Sequence, residues 1–209
     1  MLSKYTGRLF IVAAPSGGGK TSLVNRLIQD MPSIELSVSH TTRKARPTEK
    51  DTKDYFFVNQ RDFEAMIAAQ DFIEYAKVFN NYYGTSKKQI AERLAKGIDV
   101  VLDIDWQGAQ QIRRIYPDAV SIFLLPPSLT ELRERLHNRQ QDNNEIIEQR
   151  MQQSQHELEH YQEFDYLIVN QDFNVALTQL KAIVTAERLK KDIQIVKQSK
   201  LLSFLLANR

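Results

Sequence analysis

Residues 14–22 read APSGGGKTS, directly behind the apolar run LFIVA. Three of the chain's seven glycines stand there in a row against a lysine. Glycines let backbone N–H groups turn inward around an anion without Cβ obstruction. A helix that opens on Lys20 and Thr21 adds its free N–H groups and partial positive charge. In the full pattern, G-x-x-x-x-G-K-[ST], the lysine reaches the β and γ phosphates of a nucleoside triphosphate and the hydroxyl holds Mg²⁺. Gly19, Lys20 and Thr21 match, and the small Ala14 takes the first place. Ala14, Pro15, Ser16, Gly17, Gly18, Gly19, Lys20, Thr21 and Ser22 are therefore the predicted triphosphate cradle.

Further charges suit the same chemistry. The run VVLDID delivers Asp103 and Asp105 to the end of a buried strand, like the carboxylates that sit near Mg²⁺ in phosphoryl-transfer sites. The same aspartates also suit helix capping or ion pairing, and spacing alone does not choose. SHTTRKARP (39–47) sets Arg43 and Arg46 beside hydroxyls. Two guanidiniums converging on one point suit a dianionic phosphate, and a solvated basic loop is the other reading. Tyr55, Tyr82 and Tyr83 are candidate phenol donors.

Strand and helix signals alternate along the chain, which predicts an α/β fold with a largely parallel sheet. RLFIVAA (8–14), DVVLDID (99–105), AVSIFLL (119–125) and DYLIVN (165–170) read as its strands. Leu23, Val24, Leu27 and Ile28 follow helical spacing behind the loop. Ile90, Ala91, Leu94 and Ala95 make a second helical face, ended by Gly97. Ser128 to Glu131 fits a capping box, and a long helix is predicted over 174–197. Strand signals bunch between 35 and 95: ELSVS (35–39), DYFFV (54–58) and FIEYAKVF (72–79), with NNYYGT (80–85) as a hairpin turn. Phe63, Met66 and Ile67 mark a short helix among them. The expected organisation is one domain: core segments 1–34, 96–126 and 151–209, a mostly antiparallel lobe over 35–95, and a helical lid over 127–150.

Composition bounds the partners. The chain has 209 residues, no cysteine and a net charge of +2. Disulfides and thiolate metal sites are excluded, and four scattered histidines show no zinc spacing. The balanced charge points away from nucleic acid and anionic membrane. The first residues do not read as a signal peptide, and no run approaches a membrane span. A cytoplasmic protein, monomer or homo-oligomer, is the expectation.

In order and approximate spacing, SHTTR followed by Arg46, DYFFV, FIE, NYYGT and LDIDWQGAQ resemble the guanylate kinase family over roughly residues 7–190. The resemblance implies a P-loop core with a parallel sheet, a GMP-binding lobe and a lid, and the reaction ATP + GMP → ADP + GDP with Mg²⁺. By its motifs Ser39 and Glu74 would read guanine, and Arg43, Arg46, Tyr55 and Tyr83 would hold the GMP phosphate. Thr85 stands where the family has a serine. Asp103 and Asp105 would lie between acceptor, metal and loop, with Thr21 on Mg²⁺ and Asp103 joining through water. Arg135, Arg139 and Arg150 would be lid cations. Guanine presents N1–H and the 2-amino group side by side, so one carboxylate accepts from both. Adenine does not, and a misfit that strands buried polar groups discriminates strongly. The acceptor phosphate is already anionic, so no general base is required. Two rival readings remain at this point: a kinase for another monophosphate or sugar phosphate, and a non-catalytic module of the same fold. The intact Gly19-Lys20-Thr21 speaks against the second.

Overall fold

The computed structural model describes residues 6–47, 49–78, 80–138 and 144–207. In chain order the first elements are β1 (Leu9–Ala13), α1 (Lys20–Asp30), β2 (Ile34–Leu36), β3 (His40–Thr41), β4 (Phe56–Phe57) and α2 (Gln60–Ala68). Next come β5 (Phe72–Val78), β6 (Asn81–Ser86), α3 (Lys87–Ala95), β7 (Asp99–Asp103), α4 (Trp106–Ile115) and β8 (Val120–Leu125). The chain continues through α5 (Leu129–Asn138), α6 (Asn144–Glu159), a 3₁₀ turn His160–Glu163 and β9 (Tyr166–Val169). It ends with α7 (Phe173–Arg188), α8 (Lys191–Lys197) and α9 (Ser199–Ala207).

Five parallel strands form the core sheet in the order β2-β7-β1-β8-β9. β1 is its centre and is buried along its whole length, which is why it reads as an unbroken apolar run. Alternation sorts its residues between two layers. Phe10 and Val12 pack with Leu23, Val24 and Leu27 of α1 and with Leu177, Leu180 and Val184 of α7. Leu9 and Ile11 face Ile90 of α3 and Ala109 and Ile112 of α4. All four strands expected of a parallel sheet are in it.

The second sheet, β4-β3-β6-β5, is mostly antiparallel, with only β3 and β4 running together. Phe63 of α2 stacks on Phe72 and Tyr82 beneath it. Its limits differ from the expected 35–95. Ile34–Leu36 pairs with Asp99–Val101 and belongs to the core sheet. An edge strand with one wet side alternates like an antiparallel strand, which explains the misreading. At the other end α3 packs on the core through Ile90, so the lobe's strands stop at Ser86.

Two further differences concern helices. The expected helix over 174–197 breaks between α7 and α8, where Lys190 leaves helical geometry at ψ 139°. The Gln194 side chain donates to the carbonyl of Arg188 at 2.8 Å and closes the end of α7. α9 buries no side chain among the described residues, and Phe204, Leu205 and Leu206 are exposed. Among the described residues no helix is long and apolar enough to cross a membrane. α5 and α6 form a helical pair with its own small cluster, Leu132, Leu136, Ile147 and Met151.

Candidate active site

The carboxyl ends of β1 and β7 and the lobe sheet enclose a cavity of about 290 Å³. The loop residues Ala14 to Thr21 form one wall. Ser39, Arg43, Arg46, Tyr55, Glu74 and Tyr83 from the lobe form the opposite wall. Asp103, Asp105, Arg150 and Glu157 also line it. A larger concavity, about 1070 Å³, lies around the start of β1. There Glu187 pairs with Arg8 at 3.0 Å and with Lys190 at 2.9 Å, and no glycine loop faces it. The glycine loop, Lys20, Arg43 and Arg46 gather instead at the smaller cavity.

The loop is held from several sides. Gly19 sits at φ +87°, and a Cβ there would fall 2.4 Å from Asn170 Nδ2, so only glycine fits. That Asn170 amide donates to the carbonyl of Gly18 at 2.8 Å. Lys20 Nζ donates to the carbonyl of Ile104 at 2.6 Å and lies 3.1 Å from Asp103 Oδ1. The Thr21 hydroxyl donates to Asp103 Oδ2 at 2.7 Å. β7 ends at Asp103, and Asp105 caps α4 by accepting from the Gly108 amide at 2.9 Å. Both bland readings of the two aspartates, ion pair and cap, are thus realised, and both residues still face the cavity. Ser22, expected in the cradle, is exposed and outside the lining.

On the lobe side Arg43 donates to Glu49 Oε1 at 2.8 Å, while Glu49 Oε2 accepts from the Arg46 amide at 2.8 Å. The Arg46 guanidinium lies 3.6 Å from the same carboxylate. Glu49 thus gathers the two arginines, a role the sequence reading missed. Burial alone would lower the Arg43 pKa, but the Glu49 carboxylate and Tyr83 outweigh it and raise it. Burial, reinforced by the charge of Asp103, pushes the Tyr55 phenol well up, so it remains a neutral donor. Tyr82 is outside the lining; its ring stacks on Phe63 instead. His40 packs between Phe56 and Phe72.

Glu74 is 3 % exposed. Burial pushes its carboxyl up to about 7, and the Thr85 hydrogen bond opposes that shift. The Thr85 hydroxyl donates to Glu74 Oε1, and Ser39 Oγ is 3.1 Å from Thr85 Oγ1. Thr85 is therefore behind the wall, joining two residues that line it. A Cβ on Gly108 would sit 2.8 Å from Glu74 Oε2, so α4 approaches the carboxyl at the closest distance a backbone allows.

The expected lid cations separate. Arg150 lines the cavity. Arg135 does not; it pairs with Glu131 and donates to the carbonyl of Asn170 at 2.8 Å, because its helix face points to the end of β9. Arg139 and most of the polar stretch 138–144 lie outside the described residues. Trp106 stacks flat on His160 at 3.5 Å, a packing role.

One face of this cavity carries a glycine loop with Lys20, the other two arginines beside a buried carboxyl. A family model described as guanylate kinase matches residues 6–187. The chain is 60% identical over 209 residues to a guanylate kinase of Legionella pneumophila (strain Paris), with all of both chains covered. It is 52% identical to one of Pseudoalteromonas translucida (strain TAC 125), covering 98% of this chain and 100% of that one. The crystal structure of guanylate kinase from Anaplasma phagocytophilum superposes with a TM-score of 0.76 at 35% identity, covering 90% and 89% of the two chains. The chain belongs to the guanylate kinase family.

Proposed function

We propose that this chain transfers the γ-phosphoryl group of ATP to GMP, and to dGMP, giving ADP and the guanosine diphosphate. The observation that carries the reading is Glu74, a buried carboxyl in the same cavity as the glycine loop. It accepts from guanine N1–H and the 2-amino group, while Ser39 donates to O6. Adenine leaves these groups mispaired, which costs it affinity by orders of magnitude. dGMP differs only at the ribose, away from the edge Glu74 reads, so the same contacts serve it.

Arg43, Arg46, Tyr55 and Tyr83 hold the acceptor phosphate and aim one of its oxygens at the donor. The loop amides and Lys20 hold the donor phosphates, and Arg150 adds charge from α6. Arg135 joins them if α5 swings inward, and Arg139, outside the described residues, is the other cation proposed for the lid. No side chain takes a proton, because the attacking oxygen is anionic at neutral pH. Catalysis is alignment plus neutralisation of two anions that repel each other.

Thr21 Oγ1 and Asp103 Oδ2, 2.7 Å apart, form a hard-oxygen pair that suits Mg²⁺. Among the described residues no three carboxylate or imidazole groups cluster to hold a metal. An ion there would be held mainly through substrate phosphates and water. When bound, Mg²⁺ supplies charge neutralisation on the transferred group. Localisation in the cytoplasm fits these substrates.

The deciding experiment is a coupled assay for ADP with GMP, dGMP, AMP, UMP and ribose bisphosphate as acceptors. GMP and dGMP should give turnover, with AMP at least ~10²-fold lower in kcat/KM. Equal use of AMP, or no product from GMP, would overturn the assignment.

A further inference from the structure

Glu157 is an unexpected neighbour for a phosphate loop. It is a carboxyl, 6 % exposed, in the lining of a cavity that receives anions. Its Oε2 accepts from the Ser16 amide at 2.9 Å. From the same helix, Ser154 Oγ donates to the Ser16 carbonyl at 3.3 Å. Both peptide groups flanking the Ser16 Cα are thus tied to α6. Gln153 Nε2 donates to the other Glu157 oxygen at 3.2 Å and fixes the carboxyl's orientation. Burial raises the pKa of Glu157, opposed by the Ser16 amide and the charge of Lys20.

Arg150, Ser154 and Glu157 follow each other at i, i+4 and i+7, so they share one helix face. That face runs from the cavity wall to the loop. Beside it, Leu132 and Leu136 of α5 border the space a Cβ would take at Gly17. The helical pair is therefore seated on the loop at Gly17 by packing and at Ser16 by hydrogen bonds. Beyond the end of α6, His160 stacks on Trp106, the first residue of α4, whose Gly108 abuts Glu74.

We propose that Glu157 and Ser154 are positioning residues of the donor site, clasping Ser16 so that α6 sets the opening of the glycine loop. A negative charge here repels the donor phosphates; its use is geometric, as a strong acceptor for one loop amide. The amide oxygen of glutamine can take that bond without the charge. The inference rests on the reading of ATP as donor and GMP as acceptor. Transfer by the unaltered protein tests that reading, and the ratio between variants tests the clasp.

The experiment measures KM for ATP and for GMP, kcat, and the Kd of a fluorescent ATP analogue without GMP. It compares the unaltered chain with Glu157→Ala, Glu157→Gln and Ser154→Ala. Glu157→Ala should raise the ATP KM and the analogue Kd about tenfold, with the GMP KM within about twofold. Glu157→Gln should restore both to within about threefold. An ATP KM unmoved in Glu157→Ala, equal rises in both KM values, or a glutamine as damaging as alanine would each overturn the proposal. If Glu157→Ala does not fold, Ser154→Ala carries the test: a roughly threefold rise in ATP KM alone supports the clasp, and no rise refutes it.

Discussion

At Glu74 water is nearly absent, and this sets both its selectivity and its titration. Its carboxyl titrates near 7, so at that pH about half the molecules carry a proton there. On the proposed contact guanine's two donors favour the ionised form, so GMP binding would expel that proton. Because the free pKa is raised, GMP affinity should climb as pH rises toward 7 and level off above it. Calorimetry at pH 7 in two buffers of different ionisation enthalpy should register release of about half a proton per GMP. In Glu74→Gln that release should vanish and the GMP KM should rise by on the order of 10²-fold, with ATP binding unchanged. Gly108→Ala probes the same atom from behind. A Cβ at 2.8 Å from Glu74 Oε2 must displace the carboxyl, and the GMP KM should rise roughly tenfold at constant ATP KM. Few of these details were legible in the sequence. The glycine loop announces itself because its composition is extreme. Glu74 stood out only through the family resemblance, since a glutamate on a strand has no local signature. Glu49 and Glu157 were missed because their importance lies in what folding brings to them. Arg150 and Glu157 are seven residues apart on a helix, a spacing that could have flagged the second once the first was chosen.

The elements differ in how firmly they are anchored. β1 and its neighbours are buried on both faces, whereas α5 and α6 pack on each other through a small separate cluster and meet the rest of the chain at the glycine loop and Asn170. Leu136→Ala removes a fully buried side chain from that cluster, a change that costs about 2–5 kcal/mol where it acts. Because the cluster is separate from the main core, the cost should fall on local opening. Hydrogen exchange over α5 and α6 should speed up by more than tenfold, while Tm moves by less than about 3 °C. A matching drop in global stability would show that the pair folds with the core. The core strands were readable because parallel strands covered on both sides are continuous apolar runs. β2 was assigned to the wrong sheet because pattern reports how many faces are wet, not which partner is bonded. The break at Lys190 was invisible because Leu189 and Lys190 are both good helix formers, and the side chain of Gln194 closes the turn from a distance.

Over the whole molecule, the parts that the proposed function assigns to ATP and those it assigns to GMP are carried on different layers. The lobe meets the core through Ile73, packed with Ile104 and Ala109, through Glu74 against Gly108, and through Gln111 of α4, whose side chain exchanges two hydrogen bonds with the backbone of Tyr75, at 3.1 and 2.8 Å. Arg135 is turned toward Asn170 rather than the cavity. Bringing both nucleotides into line therefore calls for the lobe and the helical pair to approach each other. Small-angle scattering should show a smaller radius of gyration with GMP and a non-hydrolysable ATP analogue together than with neither. Identical profiles would mean that the cavity is already in its working shape. The pairing of Arg43 and Arg46 with Glu49, and of Lys20 with Asp103, has a consequence for which molecules gain entry. Each of these cations already has an internal counter-ion, so occupancy begins as an exchange in which a resident carboxylate must be outbid. Chloride or a simple organic acid brings a single charge and gains nothing by the swap. A phosphoryl group brings two, so the paired cations should favour it over the medium's abundant monovalent ions.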